Sequence, residues 1–315
     1  MAPLDNFLEN YYSDITETKF QPIFKQPSEE MKGLVCIFHG LGSDPHQYNH
    51  LVDFLTSHNY AACSFGLPGH RSSIENNFYL TKDSINDFVN SLTKVLSNIH
   101  NDHIKLFFIG ISFGASFARH FADQFQRPLI NAAPFIEPYQ WSGYFILKFL
   151  QSLNWIPLLH LGSQLSNLLP KVAIVSSRYR PINHYFGLRR LPASAILNSY
   201  LWAQKCHFAP KKMSKTIILF AKKDQTVNNP SAKYAYPNTQ IEEYNAPHNI
   251  LSELNNNTKI LNNIKKDILN FIKNDQAVHY LYPGSTTITY MKNLYITLLN
   301  AIKKIINKPI FQIKY

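Results

Sequence analysis

The sequence predicts an α/β fold in which helices cover both faces of a mostly parallel central sheet. Three observations carry this reading. Short runs rich in Val, Ile and Phe recur along the chain, stretches of helical periodicity separate them, and nearly all the runs are continuously apolar, as strands are when helices cover both their faces. The 315 residues, 45% hydrophobic and 16% charged, suffice for one large domain with an insertion or for two smaller ones. That composition excludes a disordered or low-complexity chain.

In chain order, LVCIF predicts a strand over Leu34–Phe38, and Pro45–Ser57 follows with helical periodicity. Ala61–Phe65 predicts the next strand and Lys82–Ile99 the next helix. Leu106–Ile111 is a third apolar run, after which small residues open an amphipathic helix over Gly114–Phe125. Leu129–Ala132 and Thr216–Ala221 are further buried strands. Gln240–Tyr244 mixes polar and apolar residues, and Leu251–Lys273 predicts a final helix.

The rhythm breaks once. From Phe135 to about Met213 the chain is aromatic, basic and punctuated by Pro138, Pro157, Pro170, Pro181 and Pro192, which reads as an inserted cap. The expected organisation is core over 1–134, cap over 135–213, core again over 214–273 and a basic amphipathic C-terminal extension over 274–315. In that extension Leu294, Leu298, Ile302 and Ile305 share a stripe from which Lys303, Lys304 and Asn300 are excluded. Such a helix either docks on the protein's own core or lies on an anionic membrane surface.

Charge is distributed unevenly. Residues 1–137 hold 9 Lys/Arg and 14 Asp/Glu, net −5, whereas residues 138–315 hold 22 and 6, net +16. Positions 138–223 carry twelve basic residues and no carboxylate. The asymmetry points to an anionic partner or, more simply, to a solvated basic face. Nucleic acid is disfavoured, because long aliphatic runs interrupt the basic residues and no nucleic-acid motif occurs.

Cys36, Cys63 and Cys206 are too few for a disulfide framework or a four-cysteine zinc site and read as reduced, buried thiols. The first residues lack the basic and apolar regions of a secretory signal, and the most apolar window, Trp141 to Gly162, is interrupted by Lys148, Gln151, Asn154 and Pro157. A cytoplasmic protein is expected, with peripheral attachment to anionic membrane through cap and C-terminal helix as the associated alternative.

The sharpest local signal is LFFIGISFGASFARHF, residues 106–121. An apolar strand leads into Gly110-Ile111-Ser112-Phe113-Gly114 and then a helix, which is what a nucleophilic serine needs. The sharp turn tolerates little bulk beside it, and the helix N-terminus faces the developing negative charge. A base and an orienting carboxylate should follow in the order Ser, Asp or Glu, His. Asp224 in AKKDQTV emerges directly after a strand, and His248 in YNAPHNIL lies just past the next strand. Both would reach the C-terminal edge of the sheet beside Ser112. Glu137, after the strand Leu129–Ala132, competes for the acid role. His46 and His50 have i, i+4 spacing but no Glu between them, so they read as solvated helix residues rather than metal ligands. The turn Phe38-His39-Gly40-Leu41-Gly42 supplies an oxyanion hole in which the Leu41 and Phe113 amides would hold a tetrahedral intermediate.

With these motifs in register, residues 32–273 resemble the α/β-hydrolase superfamily, most closely its monoacylglycerol lipase, lysophospholipase and serine aminopeptidase-like branch. The resemblance rests on HGLGSDP at 39–45, GLPGHRSS at 66–73, GISFG at 110–114, KKDQTV at 222–227 and APHNIL at 246–251. It implies an α/β-hydrolase fold with inserted cap and C-terminal helical extension. It also implies Ser112 as nucleophile, His248 as base, Asp224 as its orienter, Leu41 and Phe113 as oxyanion donors, and no cofactor or metal. The chain departs from the pattern Asp-x-x-Gly-His-Gly-x-Ser by carrying Gly66 in place of the acid and Arg71 in place of the second glycine, and Pro247 precedes the histidine where glycine is common.

In the cap, Tyr139, Trp141, Tyr144, Phe145, Phe149, Trp155, Leu158 and Leu159 provide an apolar surface beside a basic one, suited to an acyl chain with an anionic head. Trp141, Phe145 and Trp155 are the expected substrate contacts. The expected activity is hydrolysis of a carboxylic ester, with a lysophospholipid or monoacylglycerol favoured. Acyl transfer and thioester cleavage use the same triad, and an inactive hydrolase fold serving as a membrane or protein-binding module is the reading from another class.

Overall fold

The computed structural model describes residues 1–71, 80–137, 172–173, 190–208, 215–224, 226–227, 229–236, 239–252 and 258–274. Through them runs a seven-stranded sheet of order β1-β3-β2-β4-β5-β8-β9. Its strands are β1 (Ile23–Lys25), β2 (Leu34–Phe38), β3 (Ala61–Phe65), β4 (Leu106–Ile111), β5 (Leu129–Ala132), β8 (Thr216–Ala221) and β9 (Gln240–Tyr244). Only β1 runs antiparallel, against β3; every other pairing is parallel. Within the predicted cap, β6 (Val172–Ala173) and β7 (Arg190–Leu191) form a separate antiparallel pair. The helices are α1 (Ala2–Tyr11), α2 (Asn49–Thr56), α3 (Lys82–Asn101), α4 (Gly114–Phe125), α5 (Ala193–Phe208), α6 (Asn229–Ala235) and α7 (Thr258–Lys273).

Strand residues alternate between two hydrophobic layers. Leu34, Cys36 and Phe38 of β2 face the layer built by α1, α3, α4 and α5, while Val35 and Ile37 face the layer built by α2 and α7. Leu106 and Phe108 of β4, and Ile218 and Phe220 of β8, repeat the first choice; Phe107, Ile109, Ile217 and Leu219 repeat the second. Both faces are therefore covered, which is why these strands read as unbroken apolar runs. Phe38 anchors the first layer, stacked 5.5 Å from both Phe65 and Phe121. Each such ring buried contributes about 1.5–3 kcal/mol relative to an exposed one.

All six predicted strands have the predicted limits. Two helix expectations need adjustment, and helix α5 was not expected. Pro45–Tyr48 is a 3₁₀ turn capped by the Asp44 carboxylate, and the α-helix begins only at Asn49. At the other end, Ile250–Ser252 form a turn rather than helix, and α7 starts at Thr258. Helix α5, inside the stretch read as cap, packs against α4 and contributes Trp202 and Cys206 to the first core layer. Its helical character is hidden in sequence because Ala195, Leu197, Ser199, Tyr200 and Trp202 are buried around most of its circumference. His50 is partly buried, with both ring nitrogens covered, and burial drives its ring down to about 4, so the solvated reading fails for it. Among the described residues no cluster of metal-ligating side chains occurs. No described helix is long and apolar enough to cross a membrane. Cys36, Cys63 and Cys206 are buried and form no disulfide among the described residues.

Because β2, β4, β8 and β9 are parallel and in register, their following loops converge at one edge. The site is assembled there.

Candidate active site

Ser112 follows β4 directly and holds a φ of 53°, in the left-handed region that non-glycine residues avoid. Three backbone hydrogen bonds enforce it. The Ser112 amide donates to the Ala132 carbonyl at 2.9 Å, and its own carbonyl accepts from the amides of Ala115 at 3.1 Å and Phe135 at 3.0 Å. The flanking glycines answer to packing. A Cβ on Gly114 would sit 2.1 Å from the Phe38 carbonyl oxygen, and one on Gly110 would sit 2.4 Å from Ala115 Cα. Without side chains there, α4 closes onto the ends of β2 and β4 and its N-terminus is held at Ser112.

His248 and Asp224 complete a hydrogen-bonded line. Ser112 Oγ lies 2.9 Å from His248 Nε2, and His248 Nδ1 lies 2.7 Å from Asp224 Oδ2. The other Asp224 oxygen accepts from the amides of Thr226 at 2.8 Å and Val227 at 3.1 Å, so the loop after β8 holds one carboxylate oxygen while His248 meets the other. The Asp224 side chain has no exposure, whereas that of His248 is 21% exposed. A dry carboxylate orients a ring that a substrate can reach. Glu137, the competing acid, instead accepts from the Ser231 hydroxyl at 2.5 Å.

Facing Ser112 is the turn after β2. A Cβ on Gly40 would stand 3.3 Å from Ser112 Cβ, so the turn that carries Leu41 passes close beside the serine side chain. Among the described residues, neither the Leu41 nor the Phe113 amide has an acceptor. Two buried imidazoles hold this turn, a role that sequence reading had not given them although both lie in its motifs. His70 accepts the Gly42 amide at Nε2 (2.8 Å) and donates from Nδ1 to the Pro68 carbonyl (3.0 Å). His39 accepts the Leu67 amide at Nε2 (3.0 Å) and donates from Nδ1 to the Gly40 carbonyl (2.8 Å). Each ring meets a backbone donor at Nε2 and must therefore be neutral. Burial drives His70 down to about 4, and burial with the neighbouring His70 pushes His39 well below the usual histidine range. The Gln47 side chain donates to Asp44 and accepts from Asn249 at 3.5 Å and Ser252 at 3.4 Å, linking the turn after β2 to the His248 loop.

A second serine and histidine also meet, Ser116 Oγ and His207 Nε2 at 3.1 Å. This pair is built differently. Both residues are buried, and His207 Nδ1 faces the Tyr236 hydroxyl at 2.5 Å rather than a carboxylate. Asn131 donates to that hydroxyl at 2.7 Å, so its proton goes to His207 Nδ1 and Nε2–H donates to Ser116. Ser116 is thus an acceptor with no base. Its network fastens α5 and the segment after β8 to α4. The predicted substrate contacts Trp141, Phe145 and Trp155 lie outside the described residues.

The sequence profile described as serine aminopeptidase, S33, matches residues 29–253. The chain belongs to this family of α/β-hydrolases. No curated protein sequence matches it. Among solved structures, this α/β-hydrolase is similar to a soluble variant of monoglyceride lipase from Saccharomyces cerevisiae in complex with a substrate analog. The two share 18% identity and a TM-score of 0.63 over 80% of this chain and 90% of that one. It is similar also to the metagenome-derived lipolytic enzymes LipS and LipT, at 16% identity and a TM-score of 0.61 over 81% and 98%. The monoacylglycerol lipase of Paleococcus ferrophilus follows, at 15% identity and a TM-score of 0.57 over 80% and 97%. At such identities the likeness speaks for the fold.

Proposed function

We propose that this α/β-hydrolase is a serine esterase acting on a lipid ester, a monoacylglycerol or a lysophospholipid. The observation that carries the proposal is the continuous line from Ser112 Oγ through His248 to Asp224 at the mouth of the parallel sheet. In the reaction Ser112 Oγ attacks the ester carbonyl while His248 Nε2 accepts its proton. The oxyanion forms between the Leu41 and Phe113 amides, where fixed donors stabilise it without reorganisation. His248 then protonates the departing alcohol, water attacks the acyl-enzyme, and the same ring receives and returns that proton. Asp224 keeps the Nδ1 proton in place and balances the imidazolium.

The lipid preference draws support from the aromatic composition of residues 138–159, from the twelve basic residues and absent carboxylates of 138–223, and from the lipases among the structural neighbours. Ser112→Ala is expected to abolish both acyl-ester hydrolysis and labelling by a fluorophosphonate probe, with the melting temperature retained. Undiminished hydrolysis by that variant would reject the assignment. A series of p-nitrophenyl esters tests the substrate class, with kcat/KM expected to rise from two-carbon to long acyl chains; a preference for the shortest would confine the proposal to a simple esterase. Product analysis in the presence of an acceptor alcohol separates hydrolysis from acyl transfer.

A further inference from the structure

The family match begins at residue 29, yet Leu4, Phe7, Tyr12, Ile15, Phe20 and Ile23 before it are buried. Leu4 and Phe7 of α1 enter the first core layer, Tyr11 meets Phe88 of α3 at 5.7 Å, and β1 adds an antiparallel edge to β3. Between α1 and β1 the chain passes over the end of β3, where the loop 66–71 begins. The buried Tyr12 hydroxyl donates to the Gly66 carbonyl at 2.8 Å. A Cβ on Gly66 would lie 2.8 Å from the Phe20 carbonyl oxygen and 3.1 Å from the Tyr12 ring, so residue 66 is a glycine because this segment occupies its side-chain space. Further along, Arg71 donates to Asp14 at 2.6 Å and sits over the Tyr11 ring at 5.4 Å. Gly66 and Arg71 are also the two positions at which the loop departs from the family pattern.

Between those two attachment points stand Leu67 and His70, the loop's links to the oxyanion turn through His39 and Gly42. We infer that residues 11–20 act as an intramolecular strap that positions the oxyanion turn: Tyr12 and Asp14 hold residues 66–71 at Gly66 and Arg71, and His70 passes that position to Gly42 beside the Leu41 amide. Tyr12 and Asp14 are positioning residues, since neither touches the reacting atoms. The catalytic consequence rests on the esterase reading; the mechanical one does not. An oxyanion donor acts on the transition state more than on bound substrate, so loosening it lowers kcat and leaves KM.

The test uses the full chain carrying Tyr12→Phe with Asp14→Asn, and Asp14→Glu as the conservative control. Hydrogen exchange followed by mass spectrometry is expected to speed up about fivefold or more in peptides covering residues 39–44 and 66–71, with β8 and β9 unchanged. Hydrolysis of a p-nitrophenyl ester is expected to show kcat reduced about tenfold and KM within about twofold, Asp14→Glu restoring most of the rate. Unchanged exchange at 39–44, or exchange that rises evenly over the whole chain, overturns the strap whether or not the protein proves to be an esterase. An unchanged kcat in an active enzyme overturns its catalytic role. Absence of ester hydrolysis by the unsubstituted protein removes the esterase reading alone, and the exchange result then decides the strap by itself.

Discussion

Ser112 keeps a strained φ of 53° only because Ala132, Ala115 and Phe135 hold its backbone, and the strain lifts its hydroxyl toward His248. At the same scale Asp224 has two jobs that one substitution separates. In Asp224→Asn the retained oxygen can still accept from the Thr226 and Val227 amides, so the loop is preserved. The new NH2, however, faces His248 Nδ1 and forces that atom to become an acceptor. The ring proton moves to Nε2, where Ser112 needs a base. A fall of about 10³–10⁴-fold in kcat is expected with little change in melting temperature, as checked by steady-state kinetics and thermal unfolding of the same preparation. Ser116 and His207 carry the reverse lesson. Proximity of a hydroxyl and an imidazole makes no nucleophile when both are buried and the ring's second nitrogen meets a phenol.

Helix α4 and strand β2 show how elements set the position of residues. Their closest approach is at Gly114, where a side chain would overlap the Phe38 and His39 carbonyls. Gly114→Ala is expected to cost about 3 kcal/mol or more, because the obstacle is backbone that cannot rotate away. It should also reduce the rate of fluorophosphonate labelling well beyond what the lost stability explains, as a displaced α4 carries Ser112 and the Phe113 amide with it. Chemical denaturation and labelling kinetics check the two effects separately. The parallel strands β2, β3, β4, β5 and β8 were legible because burial on both faces leaves them nearly continuous apolar runs, whereas β9, at the sheet edge, mixes polar and apolar residues. Helices α1 and α5 and strand β1 were not. The first and last are short elements at the edge of the fold, and α5 is enclosed around too much of its circumference to show a polar stripe.

Considered as a whole, the molecule buries neutral imidazoles that the unfolded chain would protonate. His70 titrates at about 4 in the fold against roughly 6.5 in an unfolded chain, and His39 and His207 are shifted the same way. Their folded pKa values are lowered, so their contribution is complete above about pH 6.5 and is lost as the pH falls, because the unfolded chain takes up protons that the fold refuses. For His70 alone the loss is about 3 kcal/mol by pH 4, below which both states are protonated. Urea denaturation midpoints between pH 7 and 4 are expected to decline steeply, and His70→Asn should flatten the decline. A midpoint independent of pH over this interval would contradict the neutral clamp.

By itself the sequence determined the sheet, the turn bearing Ser112 and the order in which Asp224 and His248 follow, because these are local: a buried strand must be apolar, and a sharp strand-to-helix turn needs small neighbours. Only the tertiary structure decided which carboxylate meets His248, which of two serine–histidine pairs opens to solvent, and what occupies the space beside Gly66. Those outcomes depend on contacts between residues such as Tyr12 and Gly66, or Ser112 and His248, far apart along the chain, whose approach is set by how whole layers pack rather than by any neighbouring sequence.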